Sequence, residues 1–422
     1  MRALPFRIEA NVKDSLTGIT RKQRWTDFLI ITGMCCIALG ARAYRLEEES
    51  LWFDDFNGWR CLACNDLKSY MACVYSPETL NTEQMPFYYV VEYAWSRVFG
   101  IAPLAVRYLS VFLGIITVPV IYCIARPLFG PSAGYLACLF YALSPSQIFY
   151  DQAIRAYALI IFLSSISIYA LLQAARRGGG HWWLVSFAAN AMLIGTHIFT
   201  VFLVLVQGCW LLLAFRKSPR AYIIWVMAHG VLIAGGLLWL MGNLDQPESA
   251  YELFRAPGLL DIIVFLFGHD AVRPNIELMP SGETWPFLSP ATARHFVAAH
   301  ALFDVILKVL FAASVLFSLY WALSEESSSI VLDGKKGVRA PLMFLAMVAV
   351  LPALILAILS HAWRPCIFPR YTLYSSLALY VLAAGMLTRL KPAALRRAAI
   401  TVAIATYGYQ ASLLLPAATR TQ

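Results

Sequence analysis

Two adjacent carboxylates, Asp54 and Asp55, stand among aromatic residues in Ser50-Leu51-Trp52-Phe53-Asp54-Asp55-Phe56-Asn57-Gly58-Trp59, directly after the first apolar run of the chain. If that run crosses a bilayer, a carboxylate here lies near the headgroup layer, where it can meet a lipid-borne reactant and a water-soluble one together. The pair is read as the candidate catalytic centre; its plain alternative is the start of a solvated loop. Three arginines bear on the choice. Arg107 opens an apolar run in Ala105-Val106-Arg107-Tyr108, Arg155 opens another in Gln152-Ala153-Ile154-Arg155-Ala156-Tyr157, and Arg370 precedes a third in Phe368-Pro369-Arg370-Tyr371. Guanidinium groups gathered at one membrane face can clamp a phosphate through charge-assisted, often bidentate hydrogen bonds. Singly, each also fits an interfacial arginine beside a tyrosine anchor. Thr196-His197, at the end of another run, offers a further polar contact or a structural histidine.

The frame for these residues follows from composition. The chain is 60% hydrophobic and 14% charged, with a mean hydropathy of +0.66, which excludes an ordinary soluble domain. A span takes about 20 apolar residues, and backbone groups in lipid must be bonded within the segment, so the runs are expected as helices. They fall at 25–44, 105–125, 132–150, 156–175, 182–197, 198–215, 221–241, 301–323, 341–360, 371–388 and 397–416. The expected fold class is therefore an all-α polytopic membrane protein of about eleven transmembrane helices. Residues 1–24 are expected as a basic cytoplasmic leader, 25–241 as a transmembrane module with an outer loop over 46–104, 242–300 as a second outer loop, and 301–422 as C-terminal helices. Within the first outer loop, the amphipathic piece Phe87 to Phe99 is expected to lie in the membrane interface. Ala41-Arg42-Ala43 resembles a signal-peptidase site, but the run before it is long enough to span, and an uncleaved anchor is expected.

Charge patterning sets the orientation. With the N-terminus inside, the short inner loops carry Arg126, Arg176-Arg177, the group Arg216, Lys217 and Arg220, then Lys335, Lys336 and Arg339, and last Arg389, Lys391, Arg396 and Arg397. This obeys the positive-inside rule. Acids such as Asp54, Asp55, Asp66, Asp151, Asp245 and Glu283 then fall outside. The net charge of +9 is thereby a topology signal, and no nucleic-acid partner is expected. Gly178-Gly179-Gly180 lacks the Lys-Ser/Thr continuation of a nucleotide loop. An outer face has no nucleotide supply, so lipid-linked substrates are the natural reactants there.

The order of these pieces resembles the GT-C superfamily of membrane glycosyltransferases, in particular the bacterial branch that includes protein O-mannosyltransferases and lipid A aminoarabinose transferases. That branch carries an Asp-Glu pair after aromatics in its first outer loop, where this chain has Asp54-Asp55. A His/Lys-Pro motif ahead of Tyr-Tyr is matched by Glu83-Gln84-Met85-Pro86-Phe87-Tyr88-Tyr89, and Ala-hydrophobic-Arg at the start of a span by Arg107. Tyr-Ser-Gln-Glu-Ala-Arg-x-Tyr-Ala-Leu is matched by Tyr150-Asp151-Gln152-Ala153-Ile154-Arg155-Ala156-Tyr157-Ala158-Leu159. Thr196-His197 also fits, and Pro369-Arg370-Tyr371 is similar to the family's late Arg-Tyr. The likeness is dense over about residues 45–215 and thin beyond. Gln84 stands where relatives often carry a basic or imidazole side chain, and Asp55 where they carry Glu.

The resemblance implies an inverting transfer of a sugar from a polyprenyl-phosphate donor to a hydroxyl of a glycan, lipid or protein acceptor, with Asp54 as general base. Asp55 would position the acceptor, or hold a divalent cation if one is used; no cofactor is otherwise implied. Arg107, Arg155, Arg370 and Gln84 would hold the donor phosphate, and Tyr88, Tyr150, Gln152, Tyr157 and His197 would line the substrates. The location implied is a bacterial inner membrane with the active site facing the periplasm. The 242–300 region, with its Met279-Pro280-Ser281-Gly282-Glu283-Thr284-Trp285-Pro286 stretch, is expected as a lid or as a connector. Cys61, Cys64, Cys73 and Cys366 fall in outer loops, where an oxidising compartment permits a disulfide among them. Two readings of other classes stay open: a lipid-linked sugar flippase or transporter, and a non-catalytic scaffold in an envelope glycan complex. A transporter calls for ionisable residues at mid-membrane, in which the expected spans are poor.

Overall fold

The computed structural model describes residues 20–47, 51, 53–76, 85–177, 179–214, 219–242, 262, 266–267, 290–323, 331–332, 335–336, 339–362 and 369–417. Helix α1 (Arg21–Ala43) opens on Thr20, whose hydroxyl accepts from the Gln23 amide at 3.1 Å. Three short helices follow at one end of the bundle: α2 (Phe53–Trp59), α3 (Leu67–Val74) and α4 (Pro86–Phe99). Then come α5 (Pro103–Phe129), α6 (Pro131–Leu143), α7 (Pro145–Asp151), α8 (Tyr157–Arg177), α9 (Gly180–Ile194), α10 (Val201–Ala214) and α11 (Pro219–Gly242). The last four are α12 (Pro290–Leu323), α13 (Arg339–Ala362), α14 (Ser375–Arg389) and α15 (Ala393–Ala417). A two-residue antiparallel ladder pairs Val331 with Lys336 and Leu332 with Lys335.

Every run expected to span falls on one or more of these helices. Six of them are long and apolar enough to cross a membrane, and three shorter apolar helices accompany them. The core is built where α5, α6, α8 and α14 pack together, with α1, α12 and α13 around them. Many large side chains left exposed, among them Leu29, Ile224, Met227, Leu238, Leu316 and Leu323, lie on these helices. For a polytopic protein, lipid is the solvent they face.

One expected span is two helices. The run at 132–150 breaks at Ser144, whose backbone turns to ψ 122° before Pro145. Proline has no amide to continue α6 and excludes the helical conformation from the residue before it. Ser144 recovers the break by capping α7, its hydroxyl accepting from the Gln147 amide at 3.2 Å. It also accepts from the Tyr380 hydroxyl of α14 at 2.9 Å.

The break leaves carbonyls at the end of α6 without helical partners, and Arg42 from α1 takes them. Its guanidinium donates to the Ala142 carbonyl at 3.0 Å and the Tyr141 carbonyl at 3.3 Å, while Nε donates to Asp151 Oδ2 at 2.6 Å. Both partners of the ion pair are buried. Gly114 of α5 lets them approach: a Cβ there would collide with Asp151 Oδ2 and stand 2.9 Å from Arg42 Nε. Asp151, expected among the outer-face acids, is thus a buried structural partner, because the broken helix needs a cation and the cation needs a counter-charge.

Candidate functional site

The pieces singled out in the sequence gather at the end of the bundle occupied by α2, α3 and α4. This layer is tied internally. A disulfide joins Cys61, in the turn after α2, to Cys73 in α3, while Cys64 is a free thiol and Cys366 lies outside the described residues. Asp66 caps α3, accepting from the Ser69 amide at 2.9 Å and the Ser69 hydroxyl at 2.7 Å. Trp59 Nε1 donates to the Ile101 carbonyl at 2.7 Å, and Arg97 of α4 reaches the Leu62 carbonyl at 2.6 Å. Helix α4 begins with Pro86 at its first turn, where the missing amide costs nothing. Two backbone bonds fasten its start to the turn after α9: the Met85 amide donates to the Thr196 carbonyl at 3.0 Å and the Phe87 amide to the Gly195 carbonyl at 2.7 Å.

Asp54 and Asp55 both lie in α2. Asp55 is buried at 2% exposure; the side chain of Asp54 and all of Gln84 lie outside the described residues. Around Asp55 the fold assembles an acid that sequence reasoning missed. Glu92, on the inner face of α4, has no solvent exposure. Tyr70 of α3 donates to its Oε2 at 2.5 Å, and Tyr88, one turn earlier, to its Oε1 at 3.4 Å. Burial raises the Glu92 carboxyl to about 7, against the bonds from Tyr70 and Tyr88 and the attraction of Arg155, and with repulsion from Asp55. The same Arg155 and Asp55 act on the Tyr88 phenol, which burial pushes well above its usual range. Asp55, Arg155, Tyr88 and Glu92 therefore form one electrostatic cluster. The available signal was a lone acid on an aromatic helix, one turn after the Tyr-Tyr pair.

A second group adjoins it. Tyr150 packs on Tyr157 with ring centroids 4.8 Å apart, and His197 lies 6.4 Å from Tyr157 and 5.3 Å from Tyr371. Arg370 sits over the Tyr371 ring at 5.6 Å, in the turn Pro369–Thr372 that packs against Ile198–Thr200. His197 Nδ1 accepts from the Phe199 amide at 3.3 Å, so the neutral ring carries its proton on Nε2. Between α11 and α12, Ile262, Leu266 and Phe267 are described, and they pack with Val201, Phe202 and Tyr371; the Met279 to Pro286 stretch lies outside the described residues.

Two of the sequence candidates are engaged in the frame. Arg107 is buried and donates to the Leu46 carbonyl at 2.9 Å, pinning the chain just after α1. Gln152 donates to the Arg42 carbonyl at 3.0 Å. Among the described residues no three His, Cys, Asp or Glu side chains gather as a metal-ligand set.

Comparisons with known proteins fit this arrangement. Residues 85–239, less than half of the chain, match the family model described as dolichyl-phosphate-mannose-protein mannosyltransferase. That segment runs from the start of α4 through most of α11 and takes in Arg107, Arg155 and His197. YkcB of Bacillus subtilis (strain 168), provisionally described as a mannosyltransferase, is 20% identical over 196 residues, which are 46% of this chain and 27% of that protein. YycA of the same organism, described likewise, is 23% identical over 236 residues, 54% of this chain and 34% of that protein. The matched segment thus spans about a third of each relative's length or less. Among solved structures, apo ArnT from Cupriavidus metallidurans superposes with a TM-score of 0.54 at 14% identity, covering 95% of this chain and 77% of that one. The apo oligosaccharyltransferase of Archaeoglobus fulgidus gives 0.55 at 13% identity, covering 95% and 56%. The chain is a polytopic helical membrane protein of GT-C fold, as the order of its motifs leads one to expect.

Proposed function

We propose that the chain is an inverting glycosyltransferase that moves a sugar from a polyprenyl-phosphate donor to the hydroxyl of a glycan, lipid or protein acceptor. The observation that carries this is the meeting, at one end of the bundle, of the carboxylate-bearing helix α2 with Arg155 and the Tyr157–His197–Tyr371–Arg370 group. The family description of residues 85–239 names a dolichyl-phosphate sugar donor, and the Archaeoglobus oligosaccharyltransferase was solved with a tethered acceptor peptide at a TM-score of 0.51. In the reaction, the acceptor hydroxyl gives its proton to Asp54 as its oxygen bonds to the anomeric carbon. The bond from that carbon to the phosphate oxygen breaks, and the departing polyprenyl phosphate keeps the electron pair. Such base assistance is worth about 10²–10⁴ in rate. The leaving group is already an anion in need of stabilisation, so a second acid to protonate it is unnecessary, unlike the paired carboxyls of a glycosidase. Arg155 and Arg370 stabilise the developing charge by preorganised donation, with Gln84 as a neutral donor and Tyr88, Tyr150, Tyr157 and His197 shaping the sugar site. Arg107 is assigned to the same phosphate and Gln152 to the substrates, each while also holding a backbone carbonyl. A single displacement, with no covalent intermediate, inverts the anomeric centre.

The site end is assigned to the outer face, in a bacterial inner membrane the periplasm. The disulfide between Cys61 and Cys73 supports this, since such bonds persist in oxidising compartments. The test is mass spectrometry of envelope glycans and lipid-linked sugars in cells carrying wild type, a deletion, or Asp54→Asn, with membrane levels of each protein checked. Asp54→Asn should reproduce the deletion: one sugar missing from a glycan and its polyprenyl-phosphate donor accumulating. If Asp54→Asn behaves as wild type while the deletion has a phenotype, the transferase reading fails and a flippase or scaffold takes its place.

A further inference from the structure

We infer that Gln147 is a further positioning residue of the site: by fastening α7 to the start of α14 it sets where Arg370 stands relative to Arg155, and so how well the two hold one phosphate. This rests on the glycosyl-transfer reading above. The two arginines come from turns far apart in sequence. Arg370 lies in the turn Pro369–Thr372, which runs into α14, and Arg155 lies in the turn that leaves the end of α7 for α8. Whatever fixes α7 against the start of α14 therefore fixes one guanidinium against the other.

A continuous chain of hydrogen bonds does this. Gln147 is wholly buried, and its Nε2 donates to the Ser376 hydroxyl at 3.1 Å. Ser376, buried as well, donates in turn to the Leu373 carbonyl at 2.6 Å, and the Leu373 amide donates to the carbonyl of Arg370 itself at 3.4 Å. The path thus runs from the side chain of Gln147 to the backbone that carries the arginine. A second tie lies one turn along each helix, where the Tyr380 hydroxyl donates to Ser144 at 2.9 Å. Residues 144 and 147 share a face of α7, and 376 and 380 share a face of α14. One tie alone would let α14 pivot about it, and the Gln147–Ser376 tie is the one nearer Arg370. The seam is polar beyond these bonds. Gln147 Oε1 and the hydroxyls of Thr372 and Ser375 are buried with no partner among the described residues, and groups of this kind are matched in folded proteins by ordered water. An apolar side chain would fill the same space without them, so the glutamine is there for what it bonds.

The experiment measures binding of a polyprenyl monophosphate to the full-length protein in lipid nanodiscs, as a cycle of Gln147→Leu and Arg370→Gln. Gln147→Leu keeps most of the volume and removes the bond. Alone, it should weaken binding on the order of tenfold, the size expected of residues coupled through one network. Added to Arg370→Gln, it should weaken binding no further than about twofold, the margin within which independent changes add, because there is no second guanidinium left to position. A merely structural glutamine would weaken binding equally in both backgrounds. Should Gln147→Leu fail to fold, Ser376→Ala, which removes the hydroxyl it meets, carries the same comparison. Equal losses in both backgrounds, or no loss in either, overturn the inference and leave the transferase reading intact. An Arg370→Gln protein that binds the probe as tightly as wild type overturns both the inference and the assignment of Arg370 to the phosphate.

Discussion

Arg42–Asp151 and Arg155–Asp55–Glu92 are both buried constellations of opposite charge in a protein that meets lipid, yet they are built to different ends. In the first, one arginine meets one carboxylate at 2.6 Å and donates to the Ala38 carbonyl of its own helix and to two carbonyls at a helix break. In the second, one arginine stands among two carboxyls, and one of these, Glu92, is pushed toward its neutral form by burial. The closed pair lies wholly within the frame and holds the turn that carries Gln152 and Arg155. In the open cluster the charge turns on whether Glu92 is ionised. The lesson is that an arginine's role is read from what its guanidinium is already doing, and burial alone does not distinguish frame from site.

Breaking the closed pair should have the largest effect. Arg42→Met leaves Asp151 as an uncompensated buried charge and takes the guanidinium from the Tyr141 and Ala142 carbonyls, of which Tyr141 keeps the Ser144 amide, at a cost of about 3–5 kcal/mol. Reversible unfolding in detergent with increasing SDS would measure it. Removing both charges in Arg42→Met with Asp151→Leu should recover a good part of that loss; if it recovers none, the pair is not the reason the single variant fails.

The open cluster should show itself through pH. The Glu92 carboxyl lies at about 7 in the folded protein against an ordinary 4.5, so between these values the native state binds more protons than the unfolded one. Stability therefore falls as pH rises through that window and is flat above it, by about 3 kcal/mol in all at about 1.4 kcal/mol per unit. Glu92→Gln should abolish this dependence, which thermal unfolding at a series of pH values would reveal; an undiminished slope would assign it to another group. Gly114→Ala comes next. The new methyl must displace Asp151 Oδ2, and overpacking of this kind costs about 1–3 kcal/mol, with the Arg155 region disturbed only indirectly. The smallest effect is expected from Tyr380→Phe, which deprives Ser144 of one donor while its cap on α7 remains, at about 1 kcal/mol. Both are measurable in the same SDS titration, and a larger loss for Tyr380→Phe than for Gly114→Ala would mean that the α6–α7 break rests on Ser144 more than on Arg42.

Much of the frame was legible because hydropathy encodes burial in lipid residue by residue. The runs found their helices, and Pro86, Pro103 and Pro131 each stand at a helix start. The order of Tyr88, Arg107, Arg155, His197 and Arg370 pointed to one end of the bundle for the same reason, since each sits at the edge of an apolar run. Long-range pairing was not legible. Arg42 read as the flank of a cleavage-like Ala-x-Ala, and nothing local joins it to an aspartate 109 positions later. Asp151 read as a solvated acid because the Ser144-Pro145 break lay inside an apolar run long enough to pass as one helix. Glu92 was passed over because an amphipathic helix is expected to show acids to water, and only the fold of α3 over α4 buries this one.

The two bonds that join the start of α4 to the turn after α9 run between backbone atoms alone, from the Met85 and Phe87 amides to the Thr196 and Gly195 carbonyls. Such a clasp is indifferent to side-chain identity, proline excepted. The side chains of Met85 and Phe87 can therefore change their chemistry without loosening the frame they belong to.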